Sequence, residues 1–435
     1  MTAGSIPAAQ APASVEGRPW RGGWRDGTSY GALGLPLAFV ELPLYVLLPN
    51  FYASRYGVPL ALLGAVLLSA RLLDAIADPF IGRWADALYG RSPRQAYRWL
   101  AYAAVGLAIG FRALFFPPMS DGTALMVWCA IGLVVTYLSF STAMVIHQAW
   151  GARLAGDELQ RARIVAWREG FALAGVMIAG GLRSTTSLDI GTWIFAGLLA
   201  AGVVLLAKAP RAGRPWVERR DVSMWLPWQS RSFRRLLAIY LFNGIASAVP
   251  ATLVLFFIQD RLEAESHQAL FLGSYFAAAA VAIPLWVRAV ERFGLAPVWL
   301  AAMGLAIATF GWATQLGRGD VVPFMVVCLS SGIALGADLT LPSAMLTGVI
   351  QRAGHGQQAE GSYFGWWSFA TKLNLALAAG LALPALQALG YAAGVREAGA
   401  LAALTGAYCL LPCALKLIAA GLLYFGWIRA GEGKS

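Results

Sequence analysis

Three charged residues lie within residues 67–82, a stretch that is otherwise apolar: Arg71, Asp74 and Asp78. At about 100° per residue of an α-helix, their side chains fall within roughly 60° of one another. Charges at bilayer depth are costly unless they pair or face a cavity, and they mark functional sites. Two carboxylates and one guanidinium on a single helix face therefore indicate a site where a cation binds and leaves.

The composition of the chain is that of an integral membrane protein. Of its 435 residues, 59% are hydrophobic and only 13% are charged, which is more apolar surface than a soluble domain can bury. Apolar segments long enough to span the hydrocarbon core recur along nearly the whole sequence. We therefore expect an all-α polytopic membrane protein, with no cleaved signal peptide in the first 29 residues.

Hydropathy predicts twelve membrane spans. They lie near residues 30–54, 58–82, 99–117, 122–146, 166–186, 190–209, 234–258, 268–288, 296–316, 321–346, 361–390 and 400–427. If both termini are cytoplasmic, the cytoplasmic segments hold 24 of the 33 Lys and Arg residues. Cytoplasmic loops attract Lys and Arg, so this distribution supports the count and the orientation.

The predicted spans divide into two groups of six. We expect a cytoplasmic tail (1–29), an N-terminal bundle (30–209), a cytoplasmic linker (210–233), a C-terminal bundle (234–428) and a short tail (429–435). A six-plus-six repeat is the architecture of the major facilitator transporters, whose substrate binds at the midplane between the two halves.

Several motifs make the likeness more specific. The segment from Asp78 through Asp86 to Arg91 resembles the loop between spans 2 and 3 of the major facilitator superfamily. The spacing of Arg71, Asp74 and Asp78 is similar to span 2 of the melibiose-permease family, the glycoside–pentoside–hexuronide:cation symporters. Residues 157–168 resemble the loop between spans 4 and 5 of that family, and residues 360–372 resemble its span 11. This resemblance implies the twelve-helix major facilitator fold in two six-helix halves.

The resemblance implies a role in cation coupling for Asp74, Asp78 and the hydroxyl of Ser141, with Arg71 beside them. Ala77 stands where members of the family carry an asparagine ligand. Loss of that oxygen weakens a sodium site but leaves proton exchange intact, so the sequence favours H⁺ over Na⁺ and leaves both open. No cofactor other than the coupling ion is expected.

The substrate site departs from the family pattern. Ala38 and Met144 fall where the family carries its two sugar-binding carboxylates. Glu41, about one turn beyond Ala38, is the candidate replacement, as a substrate ligand or a proton carrier. Lys372 corresponds to the family's span 11 lysine and is expected to face the cavity, and Trp367 is a candidate for stacking on a sugar ring.

Other charged residues are assigned to gating or to structure. Asp86, Arg91 and Arg168 are expected to brace the cytoplasmic face in one conformational state. Asp338 and Lys416, within predicted spans 10 and 12, are equally consistent with a structural pair and with a functional role. The histidines, His147 among them, are placed at span ends or in loops, so no metal site is expected.

The leading hypothesis is cation-coupled symport of a sugar, glycoside or related small polar solute by alternating access. The alternative keeps the fold and carries a non-sugar or amphipathic, lysophospholipid-like cargo. An enzyme, a channel and a nucleotide-driven pump are disfavoured, because no catalytic motif, filter-like loop or phosphate-binding loop stands in a credible setting. We expect a monomer in a bacterial inner membrane that does not bind nucleic acid.

Overall fold

The computed structural model describes residues 20–120, 122–154, 156–182, 188–211, 223–391, 394 and 397–431. These residues form helices and connections, with no β-strand among them. Twelve long helical segments follow one another along this part of the chain. They are α1 (24–56), α2 (Leu60–Arg91), α3 (Pro93–Phe115), α4 (Gly122–Leu154), α5 (Glu158–Leu182), α6 (Leu188–Ala207), α7 (Arg231–Arg261), α8 (Gln268–Phe293), α9 (Leu295–Ala313), α10 (Val321–Arg352), α11 (Glu360–Ala388) and α12 (Ala398–Ile428).

The helices correspond one to one with the predicted spans, and the all-α expectation is confirmed. By length and composition, eight of the helices formed by the described residues are apolar enough to cross a membrane. Three of the segments are not uniform: α1 is interrupted near residue 33, and π-helical turns lie within α1 (Pro43–Leu47), α7 (Phe257–Arg261) and α12 (Gly406–Leu410 and Tyr424–Ile428).

The second helix is longer than its predicted span. It continues to Arg91, so residues 83–91, expected in a loop, are helical. Residues 83–91 stay helical because one side of this segment packs inside the protein, where Ala85, Asp86 and Leu88 are all buried. The helix ends at Arg91, and the hydroxyl of the next residue, Ser92, accepts the Arg94 N–H at 3.2 Å and so caps α3.

Packing divides the described residues into two halves. One hydrophobic cluster is formed by residues 20–209 alone, and another by residues 248–409 alone. A further cluster contains Ala152, Ala162 and Val165 together with residues of α7 to α12, and it joins the halves. Residues 1–19, 212–222 and 432–435 lie outside the described residues; they include most of the two predicted tails and part of the predicted linker.

The halves approach most closely where α2 crosses α11. A Cβ atom on Gly82 would lie 2.2 Å from the carbonyl oxygen of Gly361, and one on Gly361 would lie 2.3 Å from that of Gly82. A Cβ on Gly365 would meet the carbonyl oxygen of Asp78 at 2.5 Å. The obstructing atoms belong to backbone and cannot rotate away, so glycine is required at this crossing. We call this end of the bundle, which carries residues 82–91 and 351–362, the closed end.

One sequence-based placement is wrong. His147 was expected at a span end, but it is completely buried within α4. Its Nε2 lies 2.8 Å from the carbonyl oxygen of Tyr30, and the Tyr30 hydroxyl donates to the His147 carbonyl at 3.2 Å. The α4 helix continues to Leu154, so position 147 lies well inside it, where this pair fastens α1 to α4.

We predict that Gly82→Val opens the closed end. Overpacking a close contact typically costs about 1–3 kcal/mol, and the immobile backbone here places the cost at the upper end or beyond. A cost of about 1–3 kcal/mol corresponds to roughly a five- to 150-fold shift in population. Spin labels at the exposed residues Gly90 and Ala430, one on each half, should then report longer distances.

Gly64→Val is the matched control, because Gly64 lies on the same helix and a Cβ there meets nothing within 4 Å. It should leave the distance distribution as in the parent protein. An unchanged distribution in Gly82→Val would contradict the assignment of this crossing as the closing contact.

Candidate functional site

A cluster of four polar side chains joins the two halves within the bundle. The ammonium Nζ of Lys372, on α11, lies 2.6 Å from Asp74 Oδ2 and 2.8 Å from Asp78 Oδ2, both on α2. It also donates to the hydroxyl of Ser141, on α4, at 2.8 Å, and that hydroxyl donates to Asp74 Oδ1 at 2.6 Å. Asp78 is completely buried and Asp74 is 6% exposed. The lysine therefore occupies the position that a bound cation would take between the two carboxylates.

This geometry brings together the predicted coupling residues Asp74, Asp78 and Ser141. Lys372, expected at the substrate, lies instead among them. Arg71 is exposed and lies beside the Tyr137 hydroxyl, while Asp74 pairs with Lys372. The carboxylate oxygens and the serine hydroxyl are hard ligands of the kind that Na⁺ takes, and either carboxylate can also accept a proton.

A second group of charges lies around Glu41 of α1. The charged groups that act most strongly on the Glu41 carboxylate are Glu169 and Lys372. Within the described residues, no hydrogen bond or ion pair engages Glu41. Glu169 accepts from its neighbour Arg168, whose Nε and Nη2 lie 2.9 and 2.6 Å from Glu169 Oε1. Met144 is a partly buried neighbour of the N-terminal hydrophobic cluster.

Arg168 does not lie among the contacts that brace the closed end. Its side chain is 5% exposed and pairs with Glu169, and it is also hydrogen-bonded to the Tyr30 hydroxyl. A Cβ atom on Gly34 would lie 2.5 Å from the Arg168 carbonyl oxygen, so α1 and α5 pack closely here. The assignment of Arg168 to gating stays a prediction.

The aromatic residues of α11 have two different environments. Trp367 is buried and stacks on Tyr240 of α7, with ring centroids 3.9 Å apart and planes inclined by 24°. Tyr240 also shares a 2.7 Å hydrogen bond with Thr371. Trp366 points the other way, and its indole N–H donates to the carbonyl of Met224 in the linker at 2.8 Å.

Asp86 holds the start of α11 at the closed end. Its carboxylate accepts the backbone N–H groups of Gly361 and Ser362 at 2.7 Å each, and the Ser362 hydroxyl at 2.8 Å. A carboxylate that accepts the first free N–H groups of a helix is a strong cap and also faces the positive end of the helix dipole. Arg153 completes the contact, with Nη2 2.9 Å from Glu360 Oε2 and 3.4 Å from Asp86 Oδ1.

Arg91, predicted to act with Asp86, is exposed at the last residue of α2. The partners that Asp86 does use were not singled out as gating residues. In the sequence, Gly361 was the residue that could have indicated this contact. A glycine at the second position of a helix allows another backbone to approach closely. Arg153 gives no comparable signal, since one arginine at a span end is ordinary.

Asp338 and Lys416 form a network inside the C-terminal half. Lys416 Nζ lies 2.8 Å from Asp338 Oδ2 and donates to Asn243 at 2.8 Å. Asp338 also accepts from Asn243, Ser247 and the Trp299 indole, at 3.0, 3.2 and 2.9 Å. Every partner belongs to the same half, and the buried charges compensate each other, which fits the structural interpretation.

Comparison with known proteins agrees with this fold. Residues 29–429 match the family model described as MFS/sugar transport protein. The chain is 24% identical over 302 residues to the inner membrane symporter YicJ of Escherichia coli, and the alignment covers 65% of each chain, just under two thirds of that relative. It is 24% identical to the glucuronide carrier protein homolog of E. coli over 92% of both chains. It is 20% identical to the sodium-dependent lysophosphatidylcholine symporter 1 of Xenopus tropicalis over 84% of this chain and 78% of that one.

Solved structures show the same architecture. A bacterial homologue of the iron transporter ferroportin in an outward-facing state superposes with a TM-score of 0.70 at 15% identity, covering 92% of this chain and 98% of that one. This similarity confirms the predicted major facilitator fold. The family match extends over nearly the whole chain, from α1 to the end of α12. The protein therefore belongs to the MFS/sugar transport protein family of the major facilitator superfamily.

Proposed function

We propose that the protein is a secondary active transporter that couples a cation, H⁺ or Na⁺, to the symport of a sugar, glycoside or related small polar solute. One observation carries this proposal: the Lys372 ammonium of one half is held between Asp74 and Asp78 of the other. A positive charge thus already occupies the ion position, and the same contact joins the halves. The names of the symporters to which the chain is similar support the proposal.

Coupling follows from competition for the two carboxylates. Two unit charges about 4 Å apart interact by roughly 4 kcal/mol at an effective dielectric constant of about 20, so the ion pairs of Lys372 are substantial. A proton or Na⁺ that takes its place on Asp74 and Asp78 releases the lysine and cuts an inter-half bond. Filling the ion site therefore changes the balance between the two conformations, as alternating access requires.

We favour H⁺ as the coupling ion. Ala77, on the same helix as the two aspartates, offers no side-chain oxygen to a metal ion, whereas protonation of one carboxylate needs no further ligand. The ammonium of Lys372 already neutralises part of the negative charge of the two aspartates. A single proton that binds to Asp74 or Asp78 is then enough to weaken the hold on Lys372.

For the substrate, we propose Glu41 and Glu169 as the carboxylates that accept hydroxyl groups. They provide, from α1 and α5, the two carboxylates that are missing where Ala38 and Met144 stand. Glu41 is available for this role, because no hydrogen bond or ion pair engages it in the described part of the chain. Carboxylates that accept sugar hydroxyls form charge-assisted hydrogen bonds, which are among the stronger ones.

An amphipathic cargo is the alternative, and a cavity inside the C-terminal half favours it. This cavity, of about 140 Å³, is lined mainly by apolar and aromatic side chains, with Asp338 and Lys416 at its polar part. The lining aromatics are Phe271, Tyr275, Phe276, Phe310 and Tyr408. A hydrocarbon tail fits such a surface better than a sugar does.

We place the protein in a bacterial inner membrane with both termini in the cytoplasm, and propose that a monomer suffices. In that orientation the closed end faces the cytoplasm, so the structure is closed on the cytoplasmic side. The distribution of Lys and Arg supports the orientation.

We expect addition of the transported sugar or glycoside to alkalinise the medium of lightly buffered, energy-depleted cells that express the protein. Asp78→Asn should abolish the signal, since it removes the charge that holds the proton. Asp189→Asn, at an exposed ion pair with Arg112, should retain it. Sugars and glycosides are added one by one. If none of them changes the pH, and no sugar is taken up directly in the presence of Na⁺, the sugar proposal is overturned and the amphipathic cargo is favoured.

We expect Lys372→Gln to raise the cation affinity of the aspartate pair about tenfold or more, because the internal competitor is gone. The measurements are calorimetric titration with Na⁺ and, in Na⁺-free buffer, infrared titration of the carboxyl band. Lys208→Gln, at an exposed lysine, is the control. Unchanged affinity for both ions would contradict the competition mechanism.

Glu41→Gln should weaken substrate binding by about 1.5–3 kcal/mol, roughly ten- to 150-fold, because it removes a charged acceptor. The apparent KM for uptake of the substrate found in the pH assay measures this. Glu397→Gln, at an exposed residue between α11 and α12, should leave it unchanged. A Glu41→Gln protein with normal KM would remove Glu41 from the binding site.

A further inference from the structure

Two hydroxyl groups of the C-terminal half lie where the halves meet. Tyr240 of α7 and Thr371 of α11 share a 2.7 Å hydrogen bond, and Thr371 is exposed while Tyr240 is partly buried. The charged groups that act on the Tyr240 hydroxyl include Glu169 and Arg168 of the opposite half. Thr371 also directly precedes Lys372, whose ammonium reaches the aspartates of α2. The two hydroxyls are therefore close both to the ion cluster and to Glu169.

The hydroxyl pair has a fixed geometry. The Tyr240 ring stacks on Trp367, which is buried, with ring centroids 3.9 Å apart. Trp367 lies one turn before Thr371 on α11, so the same helix holds both the ring and the hydroxyl of Tyr240. A binding group that is already held in place loses little conformational entropy when a ligand arrives. Tyr240 can thus contact a ligand without rearrangement.

The protons of the pair are already used. The Thr371 hydroxyl donates to the backbone carbonyl oxygen of Trp367 at 3.0 Å. A hydroxyl carries a single proton, so the bond between Thr371 and Tyr240 uses the proton of Tyr240. Tyr240 is the donor in that bond and Thr371 is the acceptor. Each oxygen keeps a free lone pair, so the pair can accept further hydrogen bonds but has no proton left to donate.

We infer that Tyr240 and Thr371 form the C-terminal side of the substrate site and accept hydrogen bonds from hydroxyl groups of the substrate. The inference rests on the proposed function, in which Glu41 and Glu169 bind the substrate from the N-terminal half. An ionised carboxylate also only accepts hydrogen bonds. With acceptors on both sides, the site selects a solute that donates in both directions, which is a compound with several hydroxyl groups.

This arrangement makes the hydroxyl protons of the substrate a requirement. An analogue that lacks such a proton leaves desolvated acceptors without a partner, and this loss discriminates more strongly than a small change in size. A substrate that bridges Glu41 and Tyr240 also contacts α1 and α7, one helix of each half. It binds best when these helices are close together, and its binding energy favours that conformation.

The test measures the affinity of the full chain in nanodiscs by calorimetric titration. The probes are D-glucose, D-galactose, D-mannose, D-xylose and their methyl glycosides, followed, for each one that binds, by its analogues with one hydroxyl replaced by fluorine. Fluorine is close to a hydroxyl group in size and accepts weakly, but it has no proton to donate. We expect fluorination at one or more positions to weaken binding by about three- to tenfold in the parent protein.

Tyr240→Phe keeps the ring on Trp367 and removes the acceptor, so the loss on fluorination should shrink at the position that contacts it. Thr371→Val should act in the same way, and Thr371→Ser, which keeps the hydroxyl, should behave like the parent. The control is Thr405→Val on α12. The Thr405 hydroxyl likewise donates to a backbone carbonyl, that of Leu401 at 2.8 Å, and its removal should leave every loss unchanged.

The outcomes separate this inference from the proposed function. A parent protein that binds these sugars, with the same losses on fluorination in Tyr240→Phe and Thr371→Val, would overturn the inference and leave the proposed function standing. A parent protein that binds none of the sugars or glycosides would remove the sugar site itself, and the inference with it.

Discussion

The conformation depends on one interaction, the ammonium of Lys372 between Asp74 and Asp78. Two buried carboxylates a turn apart on one helix repel each other, and burial makes the repulsion costly unless a positive charge lies between them. Here that charge comes from the opposite half, at 2.6 and 2.8 Å. The N-terminal half therefore cannot hold both aspartates ionised without either the lysine or an external cation. This requirement links ion occupancy to the position of the C-terminal half.

The closed end is built from contacts of another kind. Gly82 and Gly361 bring two backbones together, and Asp86 accepts two N–H groups at the start of α11. Such contacts fit only at close range, so they form or break as a unit. They also lie on α2 and α11, the helices that carry the aspartates and Lys372. A change at the ion cluster can thus reach the closed end along two rigid helices, without any rearrangement inside either half.

The fold could be predicted well from the sequence, and the site only in part. Hydropathy predicts all twelve helices, because length and apolarity are local properties. Asp74, Asp78 and Lys372 stand out because charges within apolar spans are rare. What local pattern cannot supply is that Lys372 meets the aspartates 294 or more residues away, or that Arg153 rather than Arg91 contacts Asp86. These pairings depend on how far the two halves are closed, which is a property of packing between distant segments.

The two halves use their buried charges differently. Lys416 and Asp338 are neutralised inside the C-terminal half, with Asn243 and Trp299 completing their hydrogen bonds. Among the described residues, this network has no partner in the N-terminal half, so the proposed exchange at the aspartates does not involve it. Asp74 and Asp78, by contrast, have their positive partner on α11. In the proposed mechanism, ion exchange therefore acts on the contact between the halves.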